Sequence, residues 1–211
     1  MSATPAHAAR QAQRRITRGW PDVAMFVLGA VVLVLASLPV DKHTVSAAER
    51  VVFRIINDHT VLPFVVVWPF MQLGNIVAVP VTAAVVALFR KWRLAGGFLL
   101  GGVATYLLAK VVKTIVPRGR PAELLPDVHV RGAAAAGRGY ISGHAAVVTL
   151  IAALAWPYLG RRVRIAVIVV VVAVCLARVY VSAHLPLDVV GGAALGLAIA
   201  GFVRLLVGRP A

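Results

Sequence analysis

Residues 178–188 read RVYVSAHLPLD. They join two long apolar runs, about 165–181 and about 186–207, and set Arg178, His184 and Asp188 at the seam. Each run is close to the ~20 apolar residues that cross a bilayer as a helix. The reading is two spanning helices joined by a short polar turn at one membrane face. Ionisable residues beside hydrocarbon are costly, and such positions default to function. An arginine offers an anion a planar, two-pronged donor. Asp188 is the only acidic residue after Asp127, and a carboxylate there needs a partner. Positions four apart share a helical face, so His184 is the natural one. A carboxylate on one ring nitrogen fixes the tautomer and aims the other outward as a base or nucleophile. Taken alone, the pair reads first as a structural tie between two helix ends.

The rest of the chain suits the same environment. Of 211 residues, 61% are hydrophobic, and the mean hydropathy is +0.90. A soluble domain of this length is far more polar. Only 14% are charged, yet the net charge is +15, from 22 Lys+Arg against 7 Asp+Glu. Such an excess can mean nucleic-acid binding. Here the basic residues form short clusters between apolar runs, the pattern of a membrane protein, so no nucleic-acid partner is expected. The one cysteine, Cys175, lies inside an apolar run. That excludes an internal disulfide and a cysteine metal site. The acidic residues are too few and too scattered for a carboxylate metal cluster, and no metal or other cofactor is expected.

Spans are expected at about 23–40, 71–89, 94–112, 144–159, 165–181 and 186–207. The expected fold class is all-α: a polytopic integral membrane protein with a bundle of six transmembrane helices. Residues 1–21, with Arg10, Arg14, Arg15 and Arg18, form a basic cytoplasmic tail. The run after it is long for a signal core and lacks a small-x-small cleavage site, so it is a retained first span. Residues 22–211 form a single six-span domain. Pro80 is expected to kink the second span. Residues 44–60 place Ala48, Val51, Val52, Ile55 and Ile56 at helical spacing, with Glu49, Arg50, Arg54 and Asp58 elsewhere on the wheel. This is an additional helix, either lying in the interface or packed on the bundle. Arg90, Lys91 and Arg93, and then Arg161, Arg162 and Arg164, form basic turns on the N-terminal side. The raw count of basic residues barely separates the two sides until Lys113, Arg120 and Arg178 are set apart as functional. The flank of the first span then makes the N- and C-termini cytoplasmic in a plasma membrane. The sequence carries no signal for oligomeric state.

Two earlier stretches meet residues 178–188 on the outer face. Residues 113–121 read KTIVPRGRP, and residues 140–144 read YISGH. Lys113 and Arg178 fall in the last turns of their spans, where any one long basic side chain can simply snorkel to the headgroups. Together with Arg120 they can surround a phosphate, arginine as a fork and lysine as a point charge. Such cations neutralise charge on the equatorial oxygens of a transferring phosphoryl group. Ser142 suits a helix N-cap. Gly143 lets the backbone approach an anion at a helix N-terminus, where the dipole has the favourable sign. His144 then sits in the first turn beside that anion. A lone Ser-Gly-His fits a plain N-cap just as well.

The spacings Lys-x6-Arg-Pro, Ser-Gly-His and Arg-x5-His-x3-Asp, in this order on a six-span chain, resemble the type 2 phosphatidic acid phosphatase family. The resemblance implies that His184 is the nucleophile, forming a phosphohistidine, and that Asp188 orients and polarises it. His144 would protonate the leaving group and then activate water. Lys113, Arg120, Ser142, Gly143 and Arg178 would hold the phosphoryl oxygens. Two positions depart from the family: Ile141 stands where proline is usual, and Ala177 where serine is usual. A lost neutral hydrogen bond costs about 0.5–1.5 kcal/mol, so Ala177 weakens phosphate binding rather than abolishing catalysis.

The expected activity is a metal-independent lipid phosphate phosphatase or pyrophosphatase. Its partners are the bilayer and a lipid phosphate of polyprenyl diphosphate, phosphatidylglycerol phosphate or phosphatidic acid type. Residues 122–139, with Arg131 and Arg138, are the candidate headgroup reader. A membrane phosphotransferase to a lipid acceptor is the nearest alternative. A non-enzymatic anion- or lipid-binding transporter is more distant. The Ala/Val/Arg-rich composition points to a bacterium.

Overall fold

The computed structural model describes residues 16–59, 62–132 and 135–210, so most of the expected tail, with Arg10, Arg14 and Arg15, lies outside the described residues. The helices are α1 (Trp20–Ser37), α2 (Ala47–Asn57), α3 (Phe64–Gln72), α4 (Ala78–Leu88), α5 (Trp92–Ile115), the single turn α6 (Pro121–Leu124), α7 (Gly143–Ala155), α8 (Arg161–Tyr180) and α9 (Pro186–Val207). A two-residue strand β1 (Ile16–Thr17) pairs antiparallel with β2 (Arg209–Pro210). The expected tail therefore ends early: residues 16 and 17 are paired, and α1 begins at Trp20.

Among the described residues four helices, α1, α5, α8 and α9, are long and apolar enough to cross a membrane. Two shorter apolar helices accompany them, α4 and an α7 prolonged by a 3-10 turn to Tyr158. Val34, Leu35, Val103, Leu107 and Val169 are all exposed. A water-soluble monomer does not present apolar surface so continuously, whereas lipid covers it.

The expected second span, residues 71–89, is not one helix. α3 ends at Gln72, residues 73–77 turn, and α4 begins at Ala78. Pro80 lies in the first turn of α4, where its missing N–H costs nothing, so it does not kink a helix interior. The break falls instead at Gly74. A Cβ there would lie 2.7 Å from the His144 carbonyl oxygen, so this turn abuts the backbone of a candidate site residue.

α9 is the central helix, packed against α1, α7 and α5. Its buried face is built from small residues, among them Gly191, Gly192, Ala194, Gly196, Ala198, Ala200 and Gly201. In a bilayer no hydrophobic force drives helices together, so close backbone approach supplies the packing. At Gly192 a Cβ would collide with the Ser142 carbonyl oxygen. At Gly29 on α1 it would collide with the backbone of Ala198.

α2 packs on the bundle against α8 and α9. Val51, Val52 and Ile55 are exposed, while Glu49, Phe53 and Asn57 are buried against the bundle. A buried glutamate needs a counter-charge, and it has one, described below. The second basic cluster also differs from its expected form. Arg161, Arg162 and Arg164 form the first turn of α8, capped by Gly160, rather than a free turn.

Candidate active site

Three segments converge at one end of the bundle. The first is the C-terminal end of α5 with residues 116–120. The second is the start of α7. The third is the turn between α8 and α9. That turn is closed by its own backbone: the Arg178 carbonyl oxygen accepts from Ala183 N at 3.0 Å and from His184 N at 3.2 Å. Ser182 adopts a φ of 62° to make the reversal. Leu185 then caps α9, with Pro186 in its first turn and Asp188 at its third position.

Asp188 is wholly buried, and each of its oxygens is engaged. Oδ2 accepts the Leu185 N–H at 2.9 Å and lies 3.5 Å from His184 Nδ1. Oδ1 accepts from Arg118 Nη1 at 3.2 Å. The pairing of residues 184 and 188 therefore holds, but through a helix cap, since His184 lies before the helix begins. Arg120 Nη1 also lies against the ring, 3.1 Å from His184 Nε2 and 3.4 Å from Nδ1. Burial, followed by the charges of Arg120, Arg178 and Lys113, holds the His184 imidazole well below its ordinary range. A neutral ring with a carboxylate at Nδ1 presents the Nε2 lone pair.

The cations are held in place by backbone. Arg120 donates from Nε to the Gly137 carbonyl at 3.0 Å, from Nη1 to Ala183 at 2.5 Å and from Nη2 to Ala136 at 3.0 Å. Lys113 Nζ donates to the carbonyls of Arg138 at 2.9 Å and Ile141 at 2.8 Å, fastening the second motif to α5. Arg178 Nη1 lies 3.5 Å from Met71 Sδ on α3, and its buried Nε has no partner among the described residues. Ser142 caps α7 by accepting the Ala145 N–H at 3.4 Å, and its own N–H donates to the Asp188 carbonyl at 2.8 Å. Gly143 faces open space. The charges of Arg178 and Arg120 reach His144 at the start of α7. All eight candidate residues are thus drawn into one neighbourhood.

Two residues of this neighbourhood were not candidates from the sequence. Arg118, buried beneath Asp188, also grips Glu49 of α2 in a two-pronged pair, Nη1–Oε1 3.0 Å and Nη2–Oε2 2.5 Å. Glu49 Oε1 further accepts the Leu187 N–H at 2.9 Å. The one available signal was the scarcity of acids in a membrane chain, where each buried one demands a cation. No spacing rule says which cation. The expected headgroup reader fares differently. Arg131 stacks 4.0 Å from the Tyr180 ring and donates to the carbonyls of Tyr180 at 2.6 Å and Asn57 at 2.8 Å. It ties the loop to α2 and α8.

A family model described as the PAP2 superfamily matches residues 90–210, which takes in all three motifs and more than half of the chain. The chain belongs to the PAP2 superfamily. Among solved structures, Aquifex aeolicus LpxE superposes with a TM-score of 0.70 at 26% identity, over 79% of this chain and 99% of that one. The Bacillus subtilis protein described as a transmembrane PAP2-type phosphatidylglycerolphosphate phosphatase superposes with a TM-score of 0.59 at 23% identity, over 87% of this chain and 94% of that one. No curated protein matches by sequence. The matched PAP2 region holds Arg118 but not Glu49. The two departures from the PAP2 pattern both sit in packed surroundings. Ile141 is fully buried in the core, and Ala177 packs in an apolar cluster with Val67, Met71 and Val181.

Proposed function

We propose that this PAP2 protein hydrolyses the phosphomonoester or diphosphate of a membrane lipid through a phosphohistidine at His184, without a metal ion. The observation that carries the reading is the His184 ring, with the Asp188 carboxylate 3.5 Å from Nδ1 and the Arg120 guanidinium 3.1 Å from Nε2. In the first step Nε2 of His184 attacks phosphorus, and the bond to the leaving oxygen breaks. That oxygen takes a proton from His144. Asp188 stabilises the positive charge that develops on the ring. In the second step His144 accepts a proton from water, which attacks phosphorus and frees His184 with release of phosphate. Lys113, Arg120 and Arg178, with the backbone at Ser142 and Gly143, hold the phosphoryl oxygens. Their value lies in being preorganised where charge is spread in the transition state. Arg120 Nη1, 3.1 Å from the attacking nitrogen, is within reach of a phosphoryl oxygen held there.

The membrane arrangement follows the same reading. α1, the broken pair α3–α4, α5, α7, α8 and α9 make six crossings in one domain, with α2 along the outer interface. The termini are cytoplasmic, and the site opens on the outer side of a bacterial plasma membrane. The lipid tail stays in the bilayer while the phosphate enters the polar site. The substrates to test are polyprenyl diphosphate, phosphatidylglycerol phosphate and phosphatidic acid. Purified protein in chelator should release phosphate from at least one, and His184→Ala should release none while remaining folded. Retained turnover in that variant removes the nucleophile assignment. His144→Ala should lose about 100- to 10,000-fold, the usual contribution of general acid–base catalysis.

A further inference from the structure

We infer that the end of the bundle opposite the phosphate site binds an anionic phospholipid. This inference does not depend on the phosphatase reading. A groove of about 580 Å³ separates α1 from α8, with α7 and α9 as its floor. Its walls are apolar, formed by Met25, Val167, Val171 and Leu197, and its rim carries Arg164, Arg204 and Arg209.

The rim is built rather than incidental. Basic residues at a membrane end ordinarily extend to the headgroups and expose their charge. Arg204 does the opposite. It is 8% exposed, donates to the Ala153 carbonyl, and its Nε has no partner among the described residues. Arg209 Nε lies 3.1 Å from Asp22, and Arg204 Nη1 lies 3.7 Å from it. Arg164 stacks 5.2 Å from the Trp156 ring and donates to the Trp156 carbonyl at 3.2 Å. Asp22 is the one carboxylate paired with this rim among the described residues, so the groove mouth keeps a net positive charge.

The wall below the rim selects the kind of anion. Along α8 it runs from Arg164 to Val172. At the helical rise this is about 12 Å, close to the ~15 Å half-thickness of the hydrocarbon layer. Ile168 and Val172 are about half exposed, so the groove opens sideways toward lipid. A free anion would leave that wall uncovered, and a neutral lipid would leave the arginines unanswered. A phospholipid with an anionic headgroup satisfies both. With the N-terminus inside, it comes from the cytoplasmic leaflet, where basic pockets between helices bind acidic lipids.

The test uses the full chain, stripped of lipid in neutral detergent and titrated with phosphatidylglycerol or phosphatidylcholine of identical acyl chains. Both are phosphodiesters, so neither offers a terminal phosphate. Thermal unfolding and lipid retention in native mass spectra are the readouts. Phosphatidylglycerol should half-saturate at a concentration at least tenfold lower than phosphatidylcholine. Arg164→Gln/Arg209→Gln should erase that preference and leave phosphate release unchanged. Val171→Trp, which fills the groove and keeps every charge, should lower retention of both lipids and decides the matter if the arginine variants do not fold. Equal affinity for the two lipids overturns the inference. So does phosphatidylglycerol retention that is unchanged in Val171→Trp, a preference that disappears in Arg178→Gln at the other end, or a lipid-free dimer occupying the groove.

Discussion

His184 is buried beside three cations, Arg120, Arg178 and Lys113, with Asp188 as its carboxylate partner. Its ionisation lies well below the ordinary imidazole value of 6.5, so the ring remains neutral as pH falls through that value and takes a proton only further down. Because kcat/KM reports the free enzyme, its acid limb should lie below pH 6.5. Arg120→Ala removes the largest of the repelling charges and should move the limb of its residual activity upward. A wild-type limb at or above 6.5 contradicts the neutral-nucleophile assignment. Arg118 belongs to the same scale. It counters both Glu49 and Asp188, all three buried. Removing one partner of a buried ion pair costs about 3–5 kcal/mol. Arg118→Gln should therefore lower Tm in detergent sharply. Glu49→Gln should cost less, because Arg118 and Asp188 still pair. Equal Tm for wild type and Arg118→Gln would show that the triad carries no stability. That the eight candidates gather at one end of the bundle was legible because their types and spacings are local. Arg118 and Glu49 were not, because a residue's counter-ion is a fact of space: they lie 69 positions apart.

Among the helices, α9 imposes the tightest constraint. Gly192 lies where the start of α7 crosses, and a side chain there meets the carbonyl of Ser142 rather than a movable side chain. Overpacking costs about 1–3 kcal/mol where neighbours can shift, and backbone shifts least. Gly192→Leu should thus separate Ser142 from Asp188, lowering both Tm and turnover, whereas Gly96→Leu, which faces open space, should be mild in both assays. α2 depends on a different device. Asn57 donates to the carbonyls of His129 at 3.0 Å and Tyr180 at 2.9 Å, and accepts from His129 N at 3.0 Å. Asn57→Leu leaves the His129 N–H unpaired, at about 1–3 kcal/mol, while Arg131 still donates to the Tyr180 carbonyl. Limited proteolysis should then cut near residues 128–132 much faster than in wild type. The amphipathic period of α2 was readable, but which face packs inward was not. In lipid the apolar face gains nothing by turning in, while Glu49 and Asn57 gain partners.

At the scale of the molecule, the net charge of +15 is divided between two ends with different tasks. At one end Lys113, Arg120 and Arg178 converge on His184. At the other Arg164, Arg204 and Arg209 rim a groove. The proposed topology places these ends on opposite sides of the bilayer, and thiol labelling of single-cysteine chains checks it. With Cys175 replaced by Ala, a cysteine at Lys42 should react with an impermeant reagent from outside intact cells. One at Arg162 should react only after the membrane is opened. The reverse pattern inverts the molecule and moves the phosphate site to the cytoplasm.

By itself the sequence determined the membrane setting, the helical class, the four long apolar helices and the three motifs. Each rests on composition or on contacts a few residues apart, and apolar length and short spacings are properties of the chain alone. The tertiary structure decided what depends on distant segments meeting. It broke the expected second span at Gly74 against His144. It turned the polar side of α2 inward and placed Arg118 beneath Asp188. It also anchored Arg131 on Tyr180 and buried Arg204 at the rim of a groove. A buried charge or an unpaired backbone group is satisfied by whichever partner the packing brings within reach, and that choice is made by the fold, not by the order of residues.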